Sequence, residues 1–127
     1  MALRRFDPYL AADAMAAHRV TLDHSCWLVR TPDGGLKGCA IGALYFARYQ
    51  DTPFDQTDVI DWAIESTGSG AYVQGFDAGF HGFTPVVDPN ADYVLGYTDG
   101  QVTRQLVDTS DACRPALFAR RGSEDTP

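Results

Sequence analysis

AYVQGFDAGFHGF (residues 71–83), joined by TPVVDPN (84–90) to ADYVLGYTDGQVTRQLV (91–107), is the stretch that decides how this chain folds. Its two arms share the pattern Tyr-x-x-Gly-aromatic-x-x-Gly. Tyr72, Gly75, Phe76 and Gly79 in the first match Tyr93, Gly96, Tyr97 and Gly100 in the second. In a helix, residues four apart stand on one face, so each arm presents a pair of glycines flanked by aromatics. A glycine in a helix interior costs about 1 kcal/mol against alanine, so two per arm need a packing reason. The pattern predicts a helical hairpin with Gly75, Gly79, Gly96 and Gly100 at the contact of two closely spaced backbones. Tyr72, Phe76, Phe80, Phe83, Tyr93 and Tyr97 form its packing layer, meeting a helix expected at residues 40–49.

Working outward, Asp55 is a helix cap after the stop at Pro53, with Phe54 and Val59 placed as a hydrophobic staple and Gly68 beyond the end. Val59, Ile60, Ala63 and Ile64 are expected to face inward, and Asp58, Asp61 and Glu65 to line the opposite side. AIGALYFARY (40–49) is apolar almost all round and is the expected centre of the core. Before it, SCWLVR (25–30) and residues 36–39 flank Thr-Pro-Asp-Gly-Gly, the turn chemistry of a small β-hairpin. Asp7-Pro8 starts an N-terminal helix whose apolar stripe is Leu10, Ala14 and Ala17. A short helix is expected over residues 113–121, before a polar tail, 122–127, that should fray. The fold class is therefore α+β and predominantly helical, with residues 1–121 as a single globular domain.

A chain of 127 residues that is 45% apolar and 21% charged can bury one core without staples. No run approaches the ~20 apolar residues of a membrane span, so no membrane partner is expected. MALRRF leads into a helix start rather than a signal-peptide core, which makes the cytoplasm the expected compartment. Cys26, Cys39 and Cys113 are odd in number and form no C-x-x-C pair, so reduced thiols are expected. The net charge of −7 is uneven: residues 49–112 hold eleven acidic side chains and only Arg104 as a base. That field disfavours phosphate backbones and favours a cationic partner, although an acidic solvated face also serves solubility alone.

Gly75-Phe76-Asp77-Ala78-Gly79-Phe80-His81-Gly82 resembles the first helix of the ribosome modulation factor family, Gly-aromatic-x-Ala-Gly-x-x-Gly. Residues 93–100 are similar to its second helix. The resemblance spans residues 72–107 and implies a helical hairpin and a ribosome-associated, translation-regulating role. The family is basic, however, whereas here Asp77, Asp88, Asp92 and Asp99 oppose Arg104. Because RNA affinity rests on Lys and Arg neutralising phosphates, ribosome binding would need Arg4, Arg5, Arg19, Arg30 and Lys37 to supply the charge. Cys39-Ala40-Ile41-Gly42-Ala43-Leu44 is similar to a run in small bacterial proteins of unknown function, which implies a cysteine opening an apolar helix.

At a helix N-terminus the Cys39 thiolate would be stabilised by the helix dipole and free N–H groups, and His24 could supply a base; this is the enzymatic alternative. The competing reading is a small, buried, slowly reacting thiol. His24, Cys26 and Cys39 with His18 or His81 show no zinc-finger spacing, so no metal site is expected, nor any cofactor. DPNADYVLGYTD (88–99) imitates a calcium loop, but Tyr93 stands where the loop needs glycine, and Asp88 or Asn90 is better read as a helix cap. The favoured expectation is a non-enzymatic module binding a protein or other cationic partner through Asp58, Asp61, Glu65, Tyr72 and Tyr93.

Overall fold

A computed structural model describes residues 2–109. The expected helix at 113–121 and tail at 122–127 lie outside the described residues. The repeated stretch forms α4 (Gly70–His81) and α5 (Ala91–Asp108), which pack side by side along their length. A Cβ added to Gly75 would fall on the carbonyl of Tyr93, and one added to Gly96 on the carbonyl of Tyr72. Gly79 stands in the same relation to Tyr97, and Gly100 to Phe76. Residue numbers rise together across these contacts, so the two helices run parallel and residues 82–90 carry the chain back between them. The expected helical hairpin, whose arms would run in opposite directions, is corrected to a parallel pair. The four contacts are two reciprocal pairs, so the helices are related by an approximate two-fold axis along their common direction. The sequence repeat is what such symmetry requires, since each arm must present to the other what it receives. Each glycine also sets an Hα against a carbonyl oxygen, a contact contributing about 0.5–1 kcal/mol at helix interfaces.

The remaining elements are α1 (Pro8–Ala17), β1 (Val20–Leu22), β2 (Leu28–Arg30), β3 (Leu36–Gly38), α2 (Ala40–Tyr49) and α3 (Gln56–Thr67). The fold is α+β and predominantly helical. Helix α1 packs on α5 and α2, and α3 packs on α4 and α2. Most helix starts are local: Asp7, Ser69 and Asn90 accept from Tyr9, Tyr72 and Tyr93 N–H, and Asp55 and Asp58 form a capping box on α3. Gly68 ends α3 and Gly82 ends α4, both at positive φ.

Further expectations are corrected. Helix α2 is not the centre of the core: Ala40, Ile41, Gly42 and Ala43 are buried, but its second half emerges and Tyr49 is exposed. Helix α4 takes that place because α5 and α3 both pack on it, burying Tyr72, Phe76 and Phe80, so the packing partners of the α4–α5 pair are α1 and α3 rather than α2. Phe54 is fully exposed and makes no staple with Val59, and Ile64 is 38% exposed rather than inward-facing. The β-hairpin of β2 and β3 is joined by β1, which pairs parallel to β3 in the order β1-β3-β2. Three residues are too few to show a strand period, and the pairing exists only because α1 delivers them beside β3. The other edge of the sheet is closed by Gln56, whose Oε1 accepts from Trp27 and Leu28 N–H at 2.8 and 3.1 Å and whose Nε2 donates to Leu28 O at 2.8 Å.

Before α1 the chain straps across α4 and α5. Arg5 donates from Nε and Nη2 to the two carboxylate oxygens of Asp99, at 2.9 and 2.7 Å. Asp99 is only 5% exposed and also accepts from the Tyr72 hydroxyl at 2.5 Å, which in turn accepts from Phe6 N–H at 2.9 Å. The Phe6 ring packs between Trp62 and Phe76.

Two stability experiments follow. Gly96→Ala drives a methyl into a backbone carbonyl that side-chain rotation cannot move, and should cost about 1–3 kcal/mol. Gly70→Ala, at the first position of α4 with only Ile64 Cδ1 nearby at 3.7 Å, should be neutral or stabilising by ~0.4–1 kcal/mol. Equal denaturation midpoints for the two variants would contradict the close approach. Tyr72→Phe leaves Asp99 and Phe6 N–H without their shared partner and should cost about 1–3 kcal/mol by the same assay.

Candidate functional site

The acidic stripe on α3 opens onto a groove of about 700 Å³ between α2 and α3. Tyr45 and Tyr49, one turn apart on α2, form one wall, while Asp58, Asp61, Trp62 and Glu65 form the other. Tyr45 stands edge-on to Trp62 with ring centroids 5.9 Å apart, and against Tyr49 at 4.7 Å. Arg4 and Arg48 close the margins, the Arg48 guanidinium lying 5.1 Å from the Tyr49 ring centre. Asp58 accepts from Asp55 N–H, but among the described residues none of Asp58, Asp61 and Glu65 makes an ion pair. Partial burial, then the charges of Asp58 and Asp51 with Tyr49 between them in effect, raises the Tyr45 phenol above its ordinary value. The groove therefore combines apolar ring faces with negative charge.

Tyr72 and Tyr93, expected on the binding surface, are interior instead. Tyr72 is spent on Asp99, and Tyr93 is buried on α5 with its hydroxyl accepting from Val86 N–H at 3.4 Å. The aromatics of the acidic surface are Tyr45, Tyr49 and Trp62. Positions 58, 61, 62 and 65 follow the i, i+3, i+4, i+7 spacing of a single helical stripe, so Trp62 was legible as a neighbour of the carboxylates. The α2 tyrosines were not, because α2 is apolar almost all round and its sequence does not mark which face meets α3.

Asp99 also leaves the acidic surface, being buried against Arg5. Asn90 caps α5 and residues 91–99 are helical, which removes the calcium-loop geometry.

Cys39 is the residue before α2 and is buried. Its surroundings oppose a nucleophile: burial pushes the thiol up to about 12, and the N–H groups of Gly42 and Ile41 offset only part of that. Desolvation thus outweighs the helix terminus. The backbone crowds it as well, since Cys39 N–H donates to Trp27 O and Gly42 leaves room for that same carbonyl. His24 finds its partner in His81, where their Nδ1 atoms face each other. Cys26 donates weakly from Sγ to Lys37 O at 3.9 Å, and His18 packs edge-on to Phe46. Among the described residues no group of three or more His, Cys, Asp or Glu side chains is placed to hold a metal ion together. Nor is any helix among them long and apolar enough to cross a membrane.

No protein-family model matches the chain, and no curated protein or solved structure shows significant similarity to it.

The Cys39 geometry generates a pH experiment. The folded thiol keeps its proton up to about 12, whereas the unfolded one releases it near 9.0. The stabilisation is complete below the lower value and is lost as pH rises between them. In a Cys26→Ser/Cys113→Ser background, Cys39 should label with a thiol reagent at neutral pH only as fast as the protein opens. Rapid labelling without denaturant would contradict the inert thiol.

Proposed function

We propose that this protein is a non-enzymatic, cytoplasmic interaction module that takes a basic segment of a partner protein into the α2–α3 groove. The observation that carries this reading is the placing of Asp61 and Glu65, without ion pairs among the described residues, around Trp62 and opposite Tyr45 and Tyr49. A Lys or Arg side chain matches both features, since its methylene stem lies along ring faces while its cationic head meets the carboxylates. Arg48 over Tyr49 is an example of a guanidinium accommodated on a ring of this same groove. Three of the five cations that RNA would need are engaged within the fold: Arg5 holds Asp99, Lys37 pairs with Asp23 at 3.4 Å, and Arg30 donates to Gly34 O at 3.2 Å. That weighs for a protein partner over ribosomal phosphates.

The test is capture of partners from nuclease-treated lysate, followed by titration of the recovered protein at increasing salt. Binding should weaken as salt rises and disappear in Asp61→Lys/Glu65→Lys. Trp62→Ala should cost about 2 kcal/mol or more, the scale of a central aromatic anchor. Salt-sensitive co-sedimentation with ribosomes, lost on replacing Arg4, Arg19 and Arg30 but kept in Asp61→Lys/Glu65→Lys, would favour the ribosome-associated role instead.

A further inference from the structure

We infer that His24 and His81 form a binding site for a single borderline transition-metal dication, such as Zn²⁺ or Ni²⁺, coordinated through their two Nδ1 atoms. The site is independent of the α2–α3 groove. His24 lies in the connection from β1 to β2 and His81 is the last residue of α4, 57 positions later. The fold sets their rings 4.5 Å apart between centroids, inclined at 69°, with Nδ1 facing Nδ1.

The surroundings distinguish this pair from a chance encounter. His81 places Nε2 3.1 Å from Asp77 Oδ1, one helical turn earlier. A proton held on Nε2 by that carboxylate leaves the lone pair on Nδ1, on the side facing His24. This imidazole-to-carboxylate arrangement is the one that orients histidine ligands in metal centres. The His81 side chain is 4% exposed and is held by Phe80 and Phe83, with ring centroids at 5.2 and 5.5 Å. One ligand is thus rigid and pre-oriented. His24 is exposed, so an ion can enter from solvent and the ring can swing outward to admit metal–nitrogen bonds of about 2.0–2.1 Å. On binding, neutral His24 loses its one proton from Nδ1 to solvent and takes one from solvent on Nε2, so the ring stays neutral and both Nδ1 lone pairs are free for the metal.

Donor type narrows the occupant. Two imidazoles suit Zn²⁺, Ni²⁺ or Cu²⁺ and offer nothing to Ca²⁺ or Mg²⁺, which take oxygen ligands. With two protein donors, water completes the coordination and leaves positions open to an incoming ligand.

The experiment is calorimetric titration of the full chain with Zn²⁺ in a non-coordinating buffer, paired with long-range ¹H–¹⁵N spectra of the imidazoles. One Zn²⁺ should bind per chain, moving Nδ1 of His24 and His81 while leaving His18 in place. Affinity should fall at least tenfold in His24→Gln, whose exposed position makes it unlike a folding variant, and be unchanged in His18→Gln. Asp77→Asn should weaken binding ~10-fold or more, the scale of losing a carboxylate behind a ligand. Stoichiometric binding that survives His24→Gln, or spectra in which neither Nδ1 moves, would overturn the inference.

Discussion

The fold hangs on the passage of two backbone carbonyls from each helix of the parallel α4–α5 pair into the space left by glycines of the other. At Gly75, Gly79, Gly96 and Gly100 the obstructing atoms are main-chain atoms, with no flexible side-chain end among the nearest. A larger residue at any of them pushes the helices apart along their whole length. Closeness there also determines what lies outside it. Because α4 and α5 approach so tightly, Tyr72, Phe76 and Phe80 are directed into the core instead of filling the seam between the helices. They supply the largest buried side chains, on which Phe6, α1 and α3 are assembled. The same constraint recurs on a smaller scale at Gly38 and Gly42, which admit the carbonyl of Trp27 and so bring β2 against the start of α2.

The acidic residues, uniform as entries in a net charge, acquire separate roles in three dimensions. Asp7 and Asp55 cap helices, with Asp58 returning to the Asp55 N–H. Asp99 is interior and ties the N-terminal strap to α4 and α5 through Arg5 and Tyr72. Burying a carboxylate is tolerable there because Arg5 satisfies it bidentately and the Tyr72 hydroxyl occupies a remaining lone pair. Asp77 turns toward His81. Of the remaining acids, Asp61 and Glu65 flank Trp62 on α3, and the groove forms where that stripe faces Tyr45 and Tyr49 of α2.

Much of this was legible in the chain because it is local or periodic. The Asp7 and Asp55 caps, a cap at Asp88 or Asn90 that the structure resolves to Asn90, the Gly68 stop and the repeated glycine spacing are short-range patterns whose physics does not depend on distant residues, and they placed α1, α3, α4 and α5. The acidic stripe at 58, 61 and 65 was legible for the same reason. What only the tertiary structure decided are pairings across long separations: Arg5 with Asp99, Gln56 with the edge of β2, β1 with β3, and His24 with His81. Tyr72 and Tyr93 show the limit most directly. A tyrosine beside a helical glycine carries no local sign of whether it faces solvent or core, because the glycine spacing marks where two helices meet and not what covers the faces beside that contact. The packing of α5 and α3 on α4 made that choice, and with it moved the candidate surface from α4 and α5 to Tyr45, Tyr49 and Trp62.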